Sequence, residues 1–297
     1  MPAILDGYFA DPNLVVFGNR YYLYPTTDGS DQWRATSFRA FSSTDLVAWE
    51  DHGEVFSLEQ DTRWAKAHAW APAATERRGL YYLYYTAEQE NIGVATASSP
   101  TGPFIDLGRP LVAEGDFTGR AIDPSVFTDN DGTPYLLWGN TVAHIVPLNP
   151  DMVSFEAAKV VSWVPTAFCE AIWLHRRDDT YYLSWSQNDT RDENYRVYYA
   201  TSSSPLGPWT DRGVLLEKIP ERGILATGHH SIVRVPNTDD WLIAYHRFAI
   251  PDGSGYRREL AIDRLRYTSD GLLHKVDPAR APLTQDLAFT QPEQAAQ

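Results

Sequence analysis

Five segments of this chain repeat one outline: an acid or other short start, an apolar run, a polar turn and a second apolar run. They are DPNLVVFGNRYYLY from Asp11, APAATERRGLYYLYYT from Ala71, IDPSVFTDNDGTPYLLWG from Ile122, EAIWLHRRDDTYYLSWS from Glu170 and HSIVRVPNTDDWLIAYH from His230. Their second runs begin at Tyr21, Tyr81, Tyr135, Tyr181 and Trp241, so successive intervals are 60, 54, 46 and 60 residues. Alternation and β-rich composition make each unit a hairpin. A period of roughly 50 residues built only of strands predicts an all-β, five-bladed β-propeller with one four-stranded sheet per repeat. A chain of 297 residues has room for two domains, but a repeat running from end to end predicts one, spanning 1–283. The remaining 284–297 are polar and aperiodic and read as a disordered tail.

The first strand of each propeller blade lines the central channel, so equivalent positions of different blades converge on one axis. Those positions are read as Asp11, Ala71, Asp123, Glu170 and His230. Three acids and a histidine from distant parts of the chain are thus expected to face one pocket. Blade two has no acid there and offers His68, Trp70 and Pro72 as wall. The polar stretches Thr26 to Thr36 and Gln187 to Tyr195 read as loops at the channel mouth, with Trp33 either a platform for a sugar ring or an anchor for its own loop. The phrase SSP-x-GP-[FW], at residues 98–104 and 203–209, repeats a turn between blades and carries no chemistry. DNDG at residues 129–132 shares its spacing with a calcium loop, but the flanking strands and the missing glutamate make it a hairpin turn.

The kind of ligand follows from charge. A net charge of −14 and a pI near 4.9, with no basic stripe, exclude a nucleic-acid partner, whereas a neutral oligosaccharide is indifferent to that charge. Ten Trp and 17 Tyr suit both sugar stacking and a propeller core. Cys169 is the single cysteine, which rules out a disulfide within the chain and a cysteine-based zinc cluster. No apolar segment reaches spanning length, so no membrane is expected. The first residues lack a basic, then apolar, leader, so the chain reads as cytoplasmic, although a mature secreted form would begin the same way. Oligomeric state is not legible.

Acids crowded in one cleft raise one another's pKa, and the most enclosed keeps its proton at neutral pH. A protonated carboxyl beside an ionised one is the pair that cleaves a glycosidic bond: one acid protonates the leaving oxygen and one base activates water. The third acid is then free to tune and hold the first. A binding propeller without catalysis is the competing function, but a lectin gains nothing from three mutually repelling carboxylates.

Asp11-Pro12, His68-Ala69-Trp70-Ala71-Pro72, Asp123-Pro124-Ser125, Cys169-Glu170-Ala171 and Gly228-His229-His230-Ser231 together resemble glycoside hydrolase family 43, from Asp6 to about Leu283. The resemblance implies hydrolysis with inversion, with Asp11 as general base, Asp123 as the tuning and orienting acid and Glu170 as general acid. It also implies that Arg258 or its neighbour reaches the bound sugar, and that His246 lies near a central ion, often calcium, while the chemistry itself needs no cofactor. Trp33, His68, Trp70 and His230 complete the expected substrate-binding set. The resulting expectation is an exo-acting enzyme releasing α-L-arabinofuranosyl units from arabinan or arabinoxylan fragments, with β-xylosidase or dual activity as the alternative.

Overall fold

A computed structural model describes residues 3–278, so the tail expected at 284–297 lies outside the described residues. Blade one comprises β1 (Phe9–Phe17), β2 (Arg20–Thr27), β3 (Ser37–Ser43) and β4 (Glu50–Ser57). Blade two has β5 (Trp70–Arg77), β6 (Leu80–Ala87), β7 (Asn91–Ala97) and β8 (Ile105–Asp106). Blade three has β9 (Ser125–Thr128), β10 (Pro134–Trp138), β11 (Ala143–Pro147) and β12 (Val161–Trp163). Blade four has β13 (Phe168–Arg177), β14 (Thr180–Gln187), β15 (Arg196–Ser202) and β16 (Thr210–Leu216). Every sheet pairs consecutive strands antiparallel, as expected for a five-bladed propeller. Blade five departs from the four-stranded expectation: among the described residues it holds only β17 (Gly228–Arg234), β18 (Trp241–Phe248) and β19 (Arg258–Leu265). No helix among the described residues is long and apolar enough to cross a membrane.

The core is distributed among the five contacts between blades. Tyr24, Phe38 and Phe56 of blade one pack on Leu83 and Tyr85 of blade two, and Tyr84 and Val94 of blade two on Leu136 and Trp138 of blade three. Leu137 and Ile145 meet Leu174 and Trp185 of blade four, and Val197 and Leu215 meet Ile243 and Tyr245 of blade five. Leu14, Tyr21 and Leu23 of blade one then meet Leu242, Ala244 and Ile262 of blade five. Among the described residues no strand is shared between the first and last blades, and apolar side chains of both are buried where the ring closes. Both faces of a blade are covered, which is why second strands such as TYYLSWSQ of β14 are buried along nearly their whole length.

The first strand is irregular in the same place in blade after blade. The β1–β2 register jumps between Ala10 and Asn13, β5–β6 between Trp70 and Ala73, β13–β14 between Glu170 and Trp173, and β17–β18 between Gly228 and Ser231. Two residues face one at each jump, a β-bulge, and a bulge re-aims a side chain. The residue opening each bulge is left-handed: φ is 50° at Asp11, 44° at Ala71, 57° at Ala171 and 43° at His229, and Asp123, just before β9, has 57°. These five are the true equivalents. The sequence register placed Glu170 and His230 in the set, one residue early and one late. Strand periodicity locates a strand, but it does not reveal where an extra residue is inserted.

The backbone N–H freed by the bulge is caught by the second strand of the preceding blade. Thr26 Oγ1 accepts from Ala71 N at 2.7 Å, Thr86 Oγ1 from Asp123 N at 3.0 Å, Ser186 Oγ from His229 N at 2.9 Å, and His246 Nδ1 from Asp11 N at 3.2 Å. All four acceptors stand five residues after the aromatic that marks the start of their hairpin's second run. Thr26→Val keeps the shape of the side chain and strands the buried Ala71 N–H. It is expected to lower unfolding stability by about 1–3 kcal/mol, and a loss below about 0.5 kcal/mol in urea titration would show that this ring does not hold the blades.

Candidate active site

A cavity of about 550 Å³ opens at the channel mouth and is lined by Asp11, Asp123 and Glu170. The three acids therefore do converge, although they leave their strands at different registers. Asp11 and Asp123 are aimed inward by left-handed residues, whereas Glu170 enters from the residue before its bulge. Blade three's counterpart of the four hydrogen-bond acceptors is Asn140, five residues after Tyr135. Its side-chain amide donates to Glu170 Oε2 at 3.1 Å, and Tyr195 OH donates to Oε1 at 2.9 Å, so both oxygens of Glu170 are held.

The acids differ in their surroundings. Around Asp11 Oδ1 stand His229 Nδ1 at 3.2 Å, Arg258 Nη1 at 3.2 Å and His246 Nδ1 at 3.1 Å. Burial alone would raise the Asp11 pKa, but His229, Arg258 and His246 outweigh it and hold the carboxyl well below its ordinary range. Burial pushes His229 down to about 4, so at neutral pH this ring is uncharged. Arg258 supplies the lasting positive charge. Asp123 and Glu170 are both raised, first by burial and then by neighbouring carboxylates, with Tyr195 and Asn140 pulling Glu170 part of the way back. Ligating atoms of Asp123, Glu170 and His229 lie within 4.8 Å of one another, so the two carboxyls titrate as a pair, each pushed toward its protonated form. One base held ionised and one acid pair held protonated is the division of roles that acid–base hydrolysis needs.

Of the expected binding residues, Trp33, His68, Trp70 and Arg258 line the cavity. Trp33 is also built into the wall: its Nε1 donates to Gly255 O at 2.8 Å, its ring centroid is 4.5 Å from that of Tyr256, and Trp70 Nε1 donates to its carbonyl at 2.6 Å. His68 stands edge-on to Trp70, with Nδ1 lacking a hydrogen-bond partner. His230 does not line this cavity. The bulge turns it away to Ser184 Oγ, 2.6 Å distant, and His229 takes the place expected of it. Sequence reasoning also passed over Arg120, Asn140 and Tyr195. A polar residue at the fixed offset after Tyr135 was the available signal for Asn140; nothing local marks the other two.

The rim joins three blades. Gly29 N donates to Tyr256 O at 2.9 Å, and Gly255 lies so close to Arg191 that an added Cβ would sit 2.8 Å from the Arg191 Cα. Loops 28–34, 188–195 and 253–257 thus form one wall. His246, expected near a central ion, has both nitrogens engaged, Nδ1 with Asp11 and Nε2 with Thr190 Oγ1 at 3.1 Å, and offers no free lone pair. A second cavity of about 20 Å³ shares Asp11, Asp123 and His229 with the first and is completed by Asn13, Ser125 and His230. The Nδ1 of His230 lacks a partner, and Asp11 and Asp123 line the same space, carboxylates of the kind a hard cation takes as ligands.

The sequence matches glycosyl hydrolases family 43 over residues 2–273. It is 32% identical to a beta-D-galactofuranosidase of Aspergillus niger, covering 90% of this chain and 82% of that protein. A xylosidase/arabinosidase of Bacteroides ovatus is 29% identical, with 91% and 95% covered. Among solved structures, an alpha-L-arabinofuranosidase from Clostridium thermocellum is similar with a TM-score of 0.78 at 31% identity, covering 93% of this chain and 96% of that one. A beta-xylosidase/alpha-arabinofuranosidase from a compost metagenome, solved with xylotriose in a calcium-free form, gives 0.80 at 28% identity, with 93% and 97% covered. With the family matched across nearly the whole chain, and with neighbours of the same five-bladed fold, this protein belongs to glycoside hydrolase family 43 and is a glycosidase.

Proposed function

We propose that this glycosidase is an exo-acting, inverting α-L-arabinofuranosidase on arabinan or arabinoxylan oligosaccharides. The observation that carries the chemistry is the split among the acids: Asp11 kept ionised by Arg258, and Asp123 with Glu170 keeping a proton. In this reading Asp11 draws a proton from water as it attacks the anomeric carbon, and Glu170 gives its proton to the departing oxygen. Asp123 is the tuning and orienting acid beside Glu170, and its backbone N–H ties it to Thr86. Asp11 belongs to blade one and Glu170 to blade four, with blade five between them, and His229 of blade five lies 3.2 Å from the first and within 4.8 Å of the second. That interposition favours the wider carboxylate spacing, about 6.5–9.5 Å, which leaves room for the water of an inverting reaction.

An exo mode is supported by the wall of loops 28–34, 188–195 and 253–257, which encloses one side of the cavity. The sugar assignment leans on relatives whose names include arabinofuranosidase or arabinofuranohydrolase. β-Xylosidase or dual activity is the second reading, favoured by the relatives named for both sugars. Nitrophenyl α-L-arabinofuranoside, β-D-xyloside and β-D-galactofuranoside, the last prompted by the Aspergillus relative, form the deciding panel. Fastest turnover of the arabinofuranoside is expected, and a tenfold preference for either other sugar would replace the assignment. Proton NMR of the first product should show the anomer opposite to that of the substrate.

Two further outcomes are expected. Glu170→Gln should lose at least ~100-fold in kcat on natural oligosaccharides while sparing nitrophenyl glycosides, whose leaving group needs no proton, and Asp11→Ala should lose both. Wild-type rates for Glu170→Gln on an arabino-oligosaccharide would remove it from the role of acid. We also propose that the 20 Å³ cavity seats a structural Ca²⁺ held by His230 and its oxygen neighbours, which no step of the hydrolysis requires. A strong chelator is then expected to lower the melting temperature, because an ion bound only by the folded state stabilises it. An unchanged melting temperature, with no metal found by elemental analysis, would dispose of the ion.

A further inference from the structure

Asp28 does not line the cavity, and its side chain is wholly buried, yet every hydrogen bond its carboxylate receives comes from one residue of the site. Arg258 N donates to Oδ2 at 3.0 Å, Arg258 Nε to the same oxygen at 2.9 Å, and Arg258 Nη2 to Oδ1 at 3.4 Å. The opposite corner of the guanidinium, Nη1, lies 3.2 Å from Asp11 Oδ1 and 3.3 Å from Thr190 Oγ1. One buried cation is therefore shared between two buried carboxylates. The loop carrying Asp28 is fixed in turn: Asp28 N donates to Tyr8 O at 3.0 Å and Gly29 N to Tyr256 O at 2.9 Å.

The shape of arginine gives this sharing a consequence. A guanidinium is planar, so fixing Nε and Nη2 on one carboxylate also fixes where Nη1 points. Released from Asp28, a buried guanidinium would turn its fork on the remaining anion and form the two parallel bonds that Arg and carboxylate prefer. That anion is Asp11, and a bidentate pair would occupy both of its oxygens. In the structure Arg258, His229 and His246 all stand at Oδ1, and no hydrogen bond reaches Oδ2 among the described residues.

We propose that Asp28 is a positioning residue for the hydrolysis: it holds Arg258 side-on, so that Arg258 meets Asp11 through one nitrogen only and leaves an Asp11 oxygen for the attacking water. The inference rests on the reading of Asp11 as the base. Asp28 also offsets the charge of Arg258.

The test uses the full chain and the nitrophenyl glycoside that the wild type turns over fastest. Asp28→Asn keeps the shape and removes the charge; kcat is expected to fall roughly tenfold or more with KM changed far less. A fall in kcat matched by an equal rise in KM would overturn the inference, because general loss of packing weakens substrate binding as well. Asp28→Glu keeps the charge and displaces the guanidinium by one methylene. Its kcat should fall roughly tenfold with KM nearly unchanged, and a wild-type kcat would also overturn the inference. Asp28→Glu decides the question alone if Asp28→Asn does not fold, as judged by circular dichroism. Asp11→Asn is run in parallel: if it stays active the base assignment has failed, whereas an inactive Asp11→Asn beside a normal Asp28→Asn refutes only the role given to Asp28.

Discussion

The backbone N–H of one left-handed residue per blade is the group on which this structure depends. At Asp11, Ala71 and His229, which open bulges, and at Asp123, just before β9, that N–H lies near the axis, where an unpaired donor costs about 1–3 kcal/mol, and the preceding blade supplies the acceptor: Thr26, Thr86, Ser186 and His246. Each bond ties a blade to its neighbour and sets the direction of a side chain at the channel mouth. The last of them runs from blade one back to blade five, where, among the described residues, no sheet hydrogen bonds close the ring. The exception is instructive. Asn140 occupies the same place in blade three and gives its amide to the Glu170 side chain, so one position of a structural ring has been turned to hold an acid.

Charge at the site follows from the same closeness to the axis. Burial raises all three acids, and what separates them is the cation each one meets. Asp11 has Arg258. Asp123 has Glu170 and Asp11 as neighbours, with only Arg120 opposing them, and Glu170 has Asp11 and Asp189, so both are pushed toward their protonated forms. The four imidazoles nearby do not change this balance at neutral pH, because burial lowers His229 to about 4 and His230 to about 3 and also lowers His246 and His68. The one permanent cation beside the base is shared with Asp28, and its field at Asp11 is weakened accordingly.

Rigidity at the mouth comes from aromatic and arginine contacts between loops of different blades. Trp33 packs on Tyr256, stands edge-on to Trp70, and has the guanidiniums of Arg191 and Arg258 at 5.7 and 5.9 Å from its ring. The loop carrying Arg191 also carries Thr190, beside Arg258 and His246, and leads into Tyr195, which bonds Glu170. A single segment of blade four therefore touches both the base side and the acid side of the site. Displacement of that loop would alter both reacting groups together.

Repeat length, strand periodicity and the spacing of the second runs determined the five-bladed ring and brought Asp11, Asp123 and Glu170 to one pocket, because those features repeat along the chain and each reflects a local preference. Counting back ten residues from Tyr21, Tyr81 and Tyr181 reaches Asp11, Ala71 and Ala171, and counting forward five from each second run reaches Thr26, Thr86, Asn140, Ser186 and His246, so part of the axial ring was also present in the spacing. The bulges were not, and with them the exchange of His229 for His230 was hidden. A bulge adds one residue without changing composition, and it reverses which side of the strand faces the axis. Asp28 reads as one more turn acid in TTDG, and only closure of the ring sets it against Arg258, 230 residues away. Which proton stays, and on which acid, was decided by burial and by cations drawn from other blades. Charges interact through space, and the sequence orders residues only along the chain.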